Sequence, residues 1–157
     1  DSPLYLIGSG QASDGALPDR HTLTHLPAAE IAGKQAYEMA GLTPGNIDLA
    51  EVHDCFTVAE IMATEDLGFF QKGEGWKAAM DRKTSRFGVM PINTSGGLKS
   101  KGHPVGASGL GQVNEIWKQL HGSAGERQIS GNPHIGLAHN VGGSGQTCVV
   151  NIFERRE

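Results

Sequence analysis

The stretch NTSGGLKSKGHPVGASGLGQVNEIWKQL, residues 93–120, decides the fold class of the chain. A short apolar segment (89–93) leads into this stretch, which continues as a glycine-rich loop. The loop is followed by a helix that we expect to begin at Pro104. Apolar side chains then recur at helical spacing, at Leu110, Val113, Ile116, Trp117 and Leu120. A strand that passes through a glycine loop into an amphipathic helix is typical of α/β domains.

Strands and helices alternate over the rest of the chain as well. Periodicity predicts two further helices, beginning at Pro27 and at Thr57, and Thr57 and Glu60 match a capping box. Strands are predicted at 4–7, 47–52, 89–93, 134–139 and 146–153. The order β-α-β-α-β-α-β-β predicts an α/β fold, with a five-stranded mixed sheet, helices on its faces and a final antiparallel hairpin. Because no linker or repeat interrupts it, residues 1–157 form one predicted domain.

Composition excludes several classes of function. The 157 residues carry 13 basic and 17 acidic side chains, with no basic block of the kind that holds nucleic acid. No apolar run approaches the ~18 residues of a membrane span. Two cysteines cannot build a disulfide framework, neither has metal-type spacing, and no signal peptide is evident, so we expect a cytoplasmic protein without a bound metal. Because the chain begins at Asp1 and enters a strand almost at once, we expect a piece of a longer protein.

Glycine is the unusual residue of this composition, with 23 of 157 positions against a usual share of ~7%. Glycine clusters mark places where the backbone turns sharply or approaches a ligand closely. Three unusual segments, 53–56, 95–104 and 139–145, follow predicted strands. Because open α/β sheets bind ligands beyond the carboxyl ends of their strands, we expect these segments to form one site.

Each segment offers a candidate for chemistry. Cys55 precedes the amino end of the Thr57 helix, where backbone amides lower the pKa of a thiol, and His53 lies two residues earlier. His103 is expected at a helix start, which would keep its ring neutral and able to accept a proton. The segment 142–145, GGSG, offers amides to an anion as an oxyanion hole requires. A buried inert cysteine, an ordinary helix cap and a plain glycine hairpin are the alternatives.

Three motifs in this order resemble the carboxyl-terminal half of a thiolase: HDCF at 53–56, NTSGG at 93–97 with KGHPVGASG at 101–109, and HNVGG at 139–143. The resemblance covers nearly the whole chain and is nearest to the sterol-carrier-protein type and, within it, the archaeal acetyl-CoA acetyltransferase type. It implies Claisen condensation of acetyl-CoA, or the reverse, thiolytic cleavage of a 3-ketoacyl-CoA. Coenzyme A thioesters would be the substrates, with no other cofactor.

The resemblance also implies roles for individual residues. His103 matches the histidine that activates a nucleophilic cysteine, and Cys55 matches the cysteine that moves the α-carbon proton. His53 matches a histidine that stabilises the enolate oxygen. Asn140, Gly142 and Gly143 match the segment that lines the second oxyanion hole, with the amide of Gly142 as its donor. Claisen chemistry needs these roles: a base for a C–H proton, donors for an enolate and an activated nucleophile.

Two departures from the thiolase pattern affect these expectations. Most thiolases carry their acid–base cysteine in a C-x-G motif near the end of the chain, where this sequence has His139-Asn140-Val141-Gly142, so Cys55 must take that role. The nucleophilic cysteine belongs to the amino-terminal half of the fold, which these residues lack. We therefore expect no turnover by the isolated chain, and pairing either with that half or with another copy.

Two other functions stay open from the sequence. The chain could belong to a thiolase-like aldolase that works with a small partner protein, or to a non-catalytic scaffold that binds acyl-CoA. Intact His53, Cys55 and His103 favour the acyltransferase, because a retro-aldol step does not need the full Claisen machinery. By resemblance alone, a partner with a zinc ribbon and an oligonucleotide-binding (OB) fold and a hydroxymethylglutaryl-CoA synthase are further expected partners.

Overall fold

The computed structural model describes residues 2–20 and 22–156, together with the backbone but not the side chain of Leu17. Within these residues the chain forms four strands and five α-helices. The strands are β1 (Leu4–Ser13), β2 (Leu49–Glu51), β3 (Ile135–Gly142) and β4 (Thr147–Arg155). The helices are α1 (Pro27–Ala40), α2 (Thr57–Asp66), α3 (Gly75–Met80), α4 (Gly97–Lys101) and α5 (Ser108–Leu120). No helix among them is long and apolar enough to cross a bilayer.

The strands form one mixed sheet in the order β1-β4-β3-β2. Strand β4 pairs antiparallel with both β1 and β3, while β2 pairs parallel with β3. The predicted α/β class and the final antiparallel hairpin are confirmed. In the β3–β4 register His139 lies opposite Val150 and Gly142 opposite Thr147, so the glycine turn caps the end of this hairpin.

The predicted fifth strand at 89–93 is wrong. This segment makes only an isolated parallel bridge, between Ile92 and Ala50 of β2. The groups of this segment that bond to β2 are the Pro91 carbonyl, which accepts the Ala50 N–H at 3.0 Å, and the Asn93 N–H, which donates to the Ala50 carbonyl at 2.9 Å. Pro91 has no N–H to extend this pairing toward residue 89, and Asn93 has a φ of +52°, a left-handed conformation that ends the extended backbone. The pairing therefore stops after one bridge.

Helices α1 and α5 cover opposite faces of the sheet. Successive side chains of a strand point to opposite faces, and on β3 Leu137 packs in the core under α1 whereas Ala138 packs in the core under α5. The contact with α1 is close, since a Cβ at Gly10 of β1 would overlap the backbone of Ala32. The two cores fix the sheet, so the segments leaving its strand ends hold definite positions.

One predicted helix cap and one predicted helix start need correction. Helix α2 does begin at Thr57, but Thr57 is its first helical residue rather than its cap, and Glu60 binds the side-chain amide of Asn93 at 2.8 Å instead of closing a capping box. Helix α5 begins at Ser108 and not at Pro104. Gly106 has a φ of +79°, a left-handed conformation that no α-helix contains, so residues 104–107 form a turn before the helix.

Candidate active site

His53 and Cys55 leave the carboxyl end of β2 together. His53 is buried, with 4% of its surface exposed, whereas Cys55 is half-buried just before α2. Burial lowers the pKa of His53, and the neighbouring His103 imidazole lowers it further, against a weaker opposite effect of Asp54. His53 is therefore held as a neutral ring near physiological pH.

His103 meets His53 across the sheet edge. The centroids of the two rings lie 4.8 Å apart in an edge-to-face arrangement, with 83° between the ring planes. The expectation that residues from separate segments converge is met for this pair, although they are fifty positions apart in the chain.

Ser108, the first residue of α5, fixes the orientation of the His103 ring. The His103 Nδ1 atom lies 2.7 Å from Ser108 Oγ, and this hydroxyl donates its proton to the Pro104 carbonyl at 3.1 Å. Since the hydroxyl has one proton to give, its oxygen accepts from an Nδ1–H group on His103. In the neutral ring this leaves Nε2 as the unprotonated atom, the form that a general base requires.

His139 lies beneath His53 on β3. It is fully buried, and its Nδ1 accepts a hydrogen bond from the His53 backbone N–H at 3.3 Å. Burial, and then the proximity of His53, lower the pKa of His139 to about 3. An imidazole that is neutral near physiological pH thus supports the backbone of the His-Asp-Cys-Phe segment.

Two cavities meet at the glycine turn. One, of about 390 Å³, is lined mainly by apolar groups together with His53, Cys55 and Gly143–Gly145. The other, of about 590 Å³, is lined by His103, Asn140, Gly142 and Gly143, among others. Gly143 thus borders both cavities, and His53, which lines the first, contacts His103, which lines the second. Cys55 and His103 lie on adjoining cavities rather than in one pocket.

Asn140 is held more firmly than its position in a glycine-rich segment suggests. Its side-chain N–H donates to Gln112 of α5 at 3.1 Å, and Gln112 in turn donates to the His139 carbonyl at 2.9 Å. Gly142 and Gly143 beyond it are exposed at the hairpin end. All six residues expected at the site therefore border this region, with Asn140 tied to α5.

Three side chains that the sequence did not single out prove important to the geometry: Ser108, Gln112 and Asp54. Asp54, buried between His53 and Cys55, accepts the backbone N–H of Leu98 at 2.6 Å. Ser108 and Asp54 lie inside the quoted motifs, so their positions were visible, but their partners depend on tertiary contacts. The other cysteine, Cys148 of β4, is buried, and burial raises the pKa of its thiol to about 12, which leaves Cys55 as the reactive thiol candidate.

No three His, Cys, Asp or Glu side chains gather as a metal site would need within residues 2–20 and 22–156.

Comparison with known proteins identifies the family. Residues 10–155 match the family model described as thiolase C-terminal domain-like. The chain belongs to the thiolase family. It is 51% identical over 156 residues to an acetyl-CoA acetyltransferase of Methanothermobacter thermautotrophicus, a match that covers 99% of this chain and 40% of the relative, its carboxyl-terminal part.

Other relatives agree with this placement. A sterol carrier protein 2 from Homo sapiens is 45% identical over 124 residues, covering 78% of this thiolase chain and 22% of the relative. Among solved structures, the Ltp2-ChsH2(DUF35) aldolase superposes with a TM-score of 0.87 at 24% identity, over 98% of this chain and 40% of that one, which shows a shared fold. The chain spans about two fifths of the length of the archaeal relatives.

Proposed function

We propose that this thiolase chain is the carboxyl-terminal catalytic part of an acyl-CoA C-acyltransferase, which forms or cleaves the carbon–carbon bond of a 3-ketoacyl-CoA. The observation that carries the proposal is the paired imidazoles of His53 and His103 beside Cys55, with His103 Nδ1 anchored on Ser108. An unprotonated Nε2 is what a base needs to take the proton of a thiol. The family's nucleophilic cysteine, supplied by the amino-terminal part, would be that thiol.

In the cleavage direction, His103 and Cys55 each return to their initial protonation state at the end of the cycle. The nucleophilic cysteine gives its proton to His103 and attacks the 3-keto carbon, the bond between C2 and C3 breaks, and the enolate of acetyl-CoA takes a proton from Cys55. Coenzyme A then gives its thiol proton to the Cys55 thiolate and attacks the acyl-enzyme. The departing cysteine recovers its proton from His103. His53 and the amides of Gly142 and Gly143 would hold the carbonyl oxygens that become negative.

A chimera tests this proposal. It joins the amino-terminal part of the Methanothermobacter acetyltransferase to this chain, and its cleavage of acetoacetyl-CoA by free coenzyme A is measured. We expect turnover, and we expect Cys55→Ala and His103→Ala each to lower kcat by about 10²- to 10⁴-fold, as for the loss of a general acid or base. The matched control is Cys148→Ala, which removes a buried thiol that lines neither cavity of the site and should retain turnover.

Three outcomes separate the alternatives. Full activity in both site variants would refute the acid–base roles. A folded chimera that binds acetyl-CoA without turnover would indicate the scaffold, and cleavage of a 3-hydroxyacyl-CoA in its place would indicate the aldolase. Without an amino-terminal part the chain should be inactive. The cytoplasmic location remains a prediction. The zinc-ribbon/OB-fold partner and the hydroxymethylglutaryl-CoA synthase also remain predictions, and copurification from the source cell would test both.

A further inference from the structure

The segment that carries His103 has little stability of its own. Residues 93–103, called the histidine loop from this point, contain the five-residue helix α4 between Gly96 and Gly102, both of which have positive φ. A single turn of helix is unstable in isolation, and glycine loses more conformational entropy on folding than any other residue. Contacts from outside the loop must therefore hold His103 in place.

Glu51, the last residue of β2, makes these contacts from a fully buried position. Its Oε1 accepts the backbone N–H of Ser95 at 3.0 Å, and its Oε2 accepts the Ser95 hydroxyl. The same Oε2 lies 3.2 Å from Lys101 Nζ, which also donates to Ser95 Oγ at 2.7 Å. The Glu51 carboxylate thus links Ser95, near the beginning of the histidine loop, to Lys101, two residues before His103.

Burying the charge of Glu51 costs free energy. Lys101 and Ser95 offset this cost through their contacts with the carboxylate. Burial raises the pKa of Glu51, while Lys101 and the Ser95 hydrogen bonds lower it in opposition. Removing one member of such a buried pair leaves an uncompensated group, which is far more damaging than losing an exposed ion pair. The loop therefore cannot shift without exposing or isolating this carboxylate.

A second carboxylate, that of Asp54, binds the middle of the histidine loop. Asp54 accepts the N–H of Leu98 at 2.6 Å and faces that of Lys99 at 3.5 Å. Glu51 and Asp54 lie on either side of His53 in sequence. The segment that leaves β2 and carries His53 and Cys55 thus contacts the histidine loop at three residues, Ser95, Leu98 and Lys101.

We infer that Glu51, which lies outside every motif of the sequence, is a positioning residue for His103 and acts through Ser95 and Lys101. Its side chain is fully buried and lines neither cavity of the site. The carboxylate of Glu51 sets where the His103 ring stands relative to His53 and Ser108. Its effect on turnover, but not on the ring itself, rests on the proposed function.

The first test observes the ring directly in this chain. Nitrogen-15 NMR of labelled histidines reports which ring nitrogen of His103 carries the proton. We expect a fixed Nδ1–H tautomer in the unmodified chain, and converging ring-nitrogen shifts in Glu51→Gln as the ring exchanges between tautomers. The matched control is Glu65→Gln. Glu65 of α2 is also buried and also accepts backbone N–H groups, those of Gly73 and Gly75 at 2.9 and 2.8 Å, but neither partner belongs to the histidine loop.

The second test uses the chimera described above. A displaced catalytic group costs about 10²-fold in rate, so Glu51→Gln should lower kcat by about that factor while KM changes by less than about threefold. Glu65→Gln should lower the melting temperature comparably but leave kcat nearly unchanged. Lys101→Met should reproduce the effect of Glu51→Gln, and the double variant should be no worse than the more damaging single one, because both break the same contact.

The outcomes are distinguishable. Unchanged His103 shifts in folded Glu51→Gln would overturn the inference, as would equal changes in Glu51→Gln and Glu65→Gln. If the shifts change as expected but the chimera carrying the unmodified chain has no turnover, the positioning role stands and the proposed function fails. If the chimera is active and Glu51→Gln retains its kcat, the positioning role in catalysis is refuted.

Discussion

At the scale of single residues, the chemistry of this site depends on which nitrogen of His103 carries a proton. The hydroxyl of Ser108 gives its own proton to the Pro104 carbonyl, so it can only accept from His103. This one contact makes Nε2 a base and keeps the ring from turning. A histidine in a glycine-rich loop would otherwise sample both tautomers and several rotamers.

We expect Ser108→Ala to lower kcat of the chimera about tenfold, because the hydrogen bond that fixes the ring is worth about 1 to 1.5 kcal/mol. Steady-state kinetics provide the measurement. Ser123→Ala is the control, since Ser123 has a comparable hydroxyl bond, to the Lys118 carbonyl at 3.2 Å, at the far end of α5. Equal rates for the two variants would show that the His103 ring needs no such support.

At the scale of elements, the histidine loop and the segment after β2 fit together because one glycine has no side chain. Gly97 has a φ of +67°, and a Cβ at this position would overlap the carboxylate of Asp54. Asp54 cannot move aside freely, because it is buried and bound to the Leu98 N–H. The second glycine of the Ser-Gly-Gly motif is thus explained by a neighbouring carboxylate as well as by its backbone angle.

Gly97→Ala should therefore destabilise the chain more than Gly41→Ala does. Gly41 ends α1 at the same φ of +67° but a Cβ there would meet nothing within 4 Å, so this control isolates the backbone cost of about 1–2 kcal/mol. We expect at least about 1 kcal/mol more for Gly97→Ala, from the broken Asp54 contact, in urea unfolding curves. In an Asp54→Ala background the two glycine variants should become similar; a persistent difference would contradict this explanation.

The sequence predicted elements better than their contacts. The ends of helix α1 could be predicted because proline favours the first position of a helix and glycine favours its end, as Pro27 and Gly41 do here. The final hairpin could be predicted because the connection between its two strands is short. The strand at 89–93 was wrong because Val89 and Ile92 resemble strand residues, while Pro91 has no N–H to offer β2 and the pairing stops after one bridge. Likewise, His53, Cys55 and His103 could be selected from their motifs. Glu51, Ser108 and Gln112 could not, because each acts through a partner that only the folded chain brings near.

At the scale of the whole molecule, buried histidines make stability depend on pH. His139 has a folded-state pKa of about 3, far below the 6.5 of an unfolded chain. Between these values the unfolded state binds a proton that the folded state cannot, so stability falls as pH decreases from about 6.5 toward 3. The lowered pKa of His53 acts in the same direction, whereas the raised pKa values of Glu51, Glu60 and Asp66 act in the opposite one.

We expect His139 alone to reduce the free energy of unfolding by about 2 kcal/mol between pH 7.5 and pH 5. Urea unfolding at the two pH values measures this loss. His139→Gln keeps an acceptor for the His53 N–H but cannot be protonated, so the difference between the two pH values should shrink by that amount. If it does not shrink, His139 is protonated in the folded state.

Exposed apolar side chains surround the larger cavity. Val105 is 98% and Leu110 72% exposed, and the total accessible surface of 8107 Å² is above the ~7,600 Å² expected for a monomer of 16.6 kDa. Such patches usually mark surfaces that bind other protein.

We therefore expect the chain alone to self-associate. Light scattering should give a mass that rises above 16.6 kDa with concentration, and Val105→Lys with Leu110→Lys should return it to that of a monomer. Met80→Lys, at a similarly exposed apolar position outside this cavity, should have no effect. A monomer at all concentrations would refute the expectation.

The position of β4 also has a consequence for biosynthesis. Among the four strands of the sheet this one is synthesised last, yet it lies between β1 and β3 and pairs Leu4 with Arg155. While the ribosome still holds residues 147–155, β1 lacks the strand with which it pairs in this sheet, and the apolar underside of α1 is only partly covered. The nascent chain must then keep that surface from aggregating until translation of this region is complete, which makes β1 and α1 the expected binding site for a chaperone.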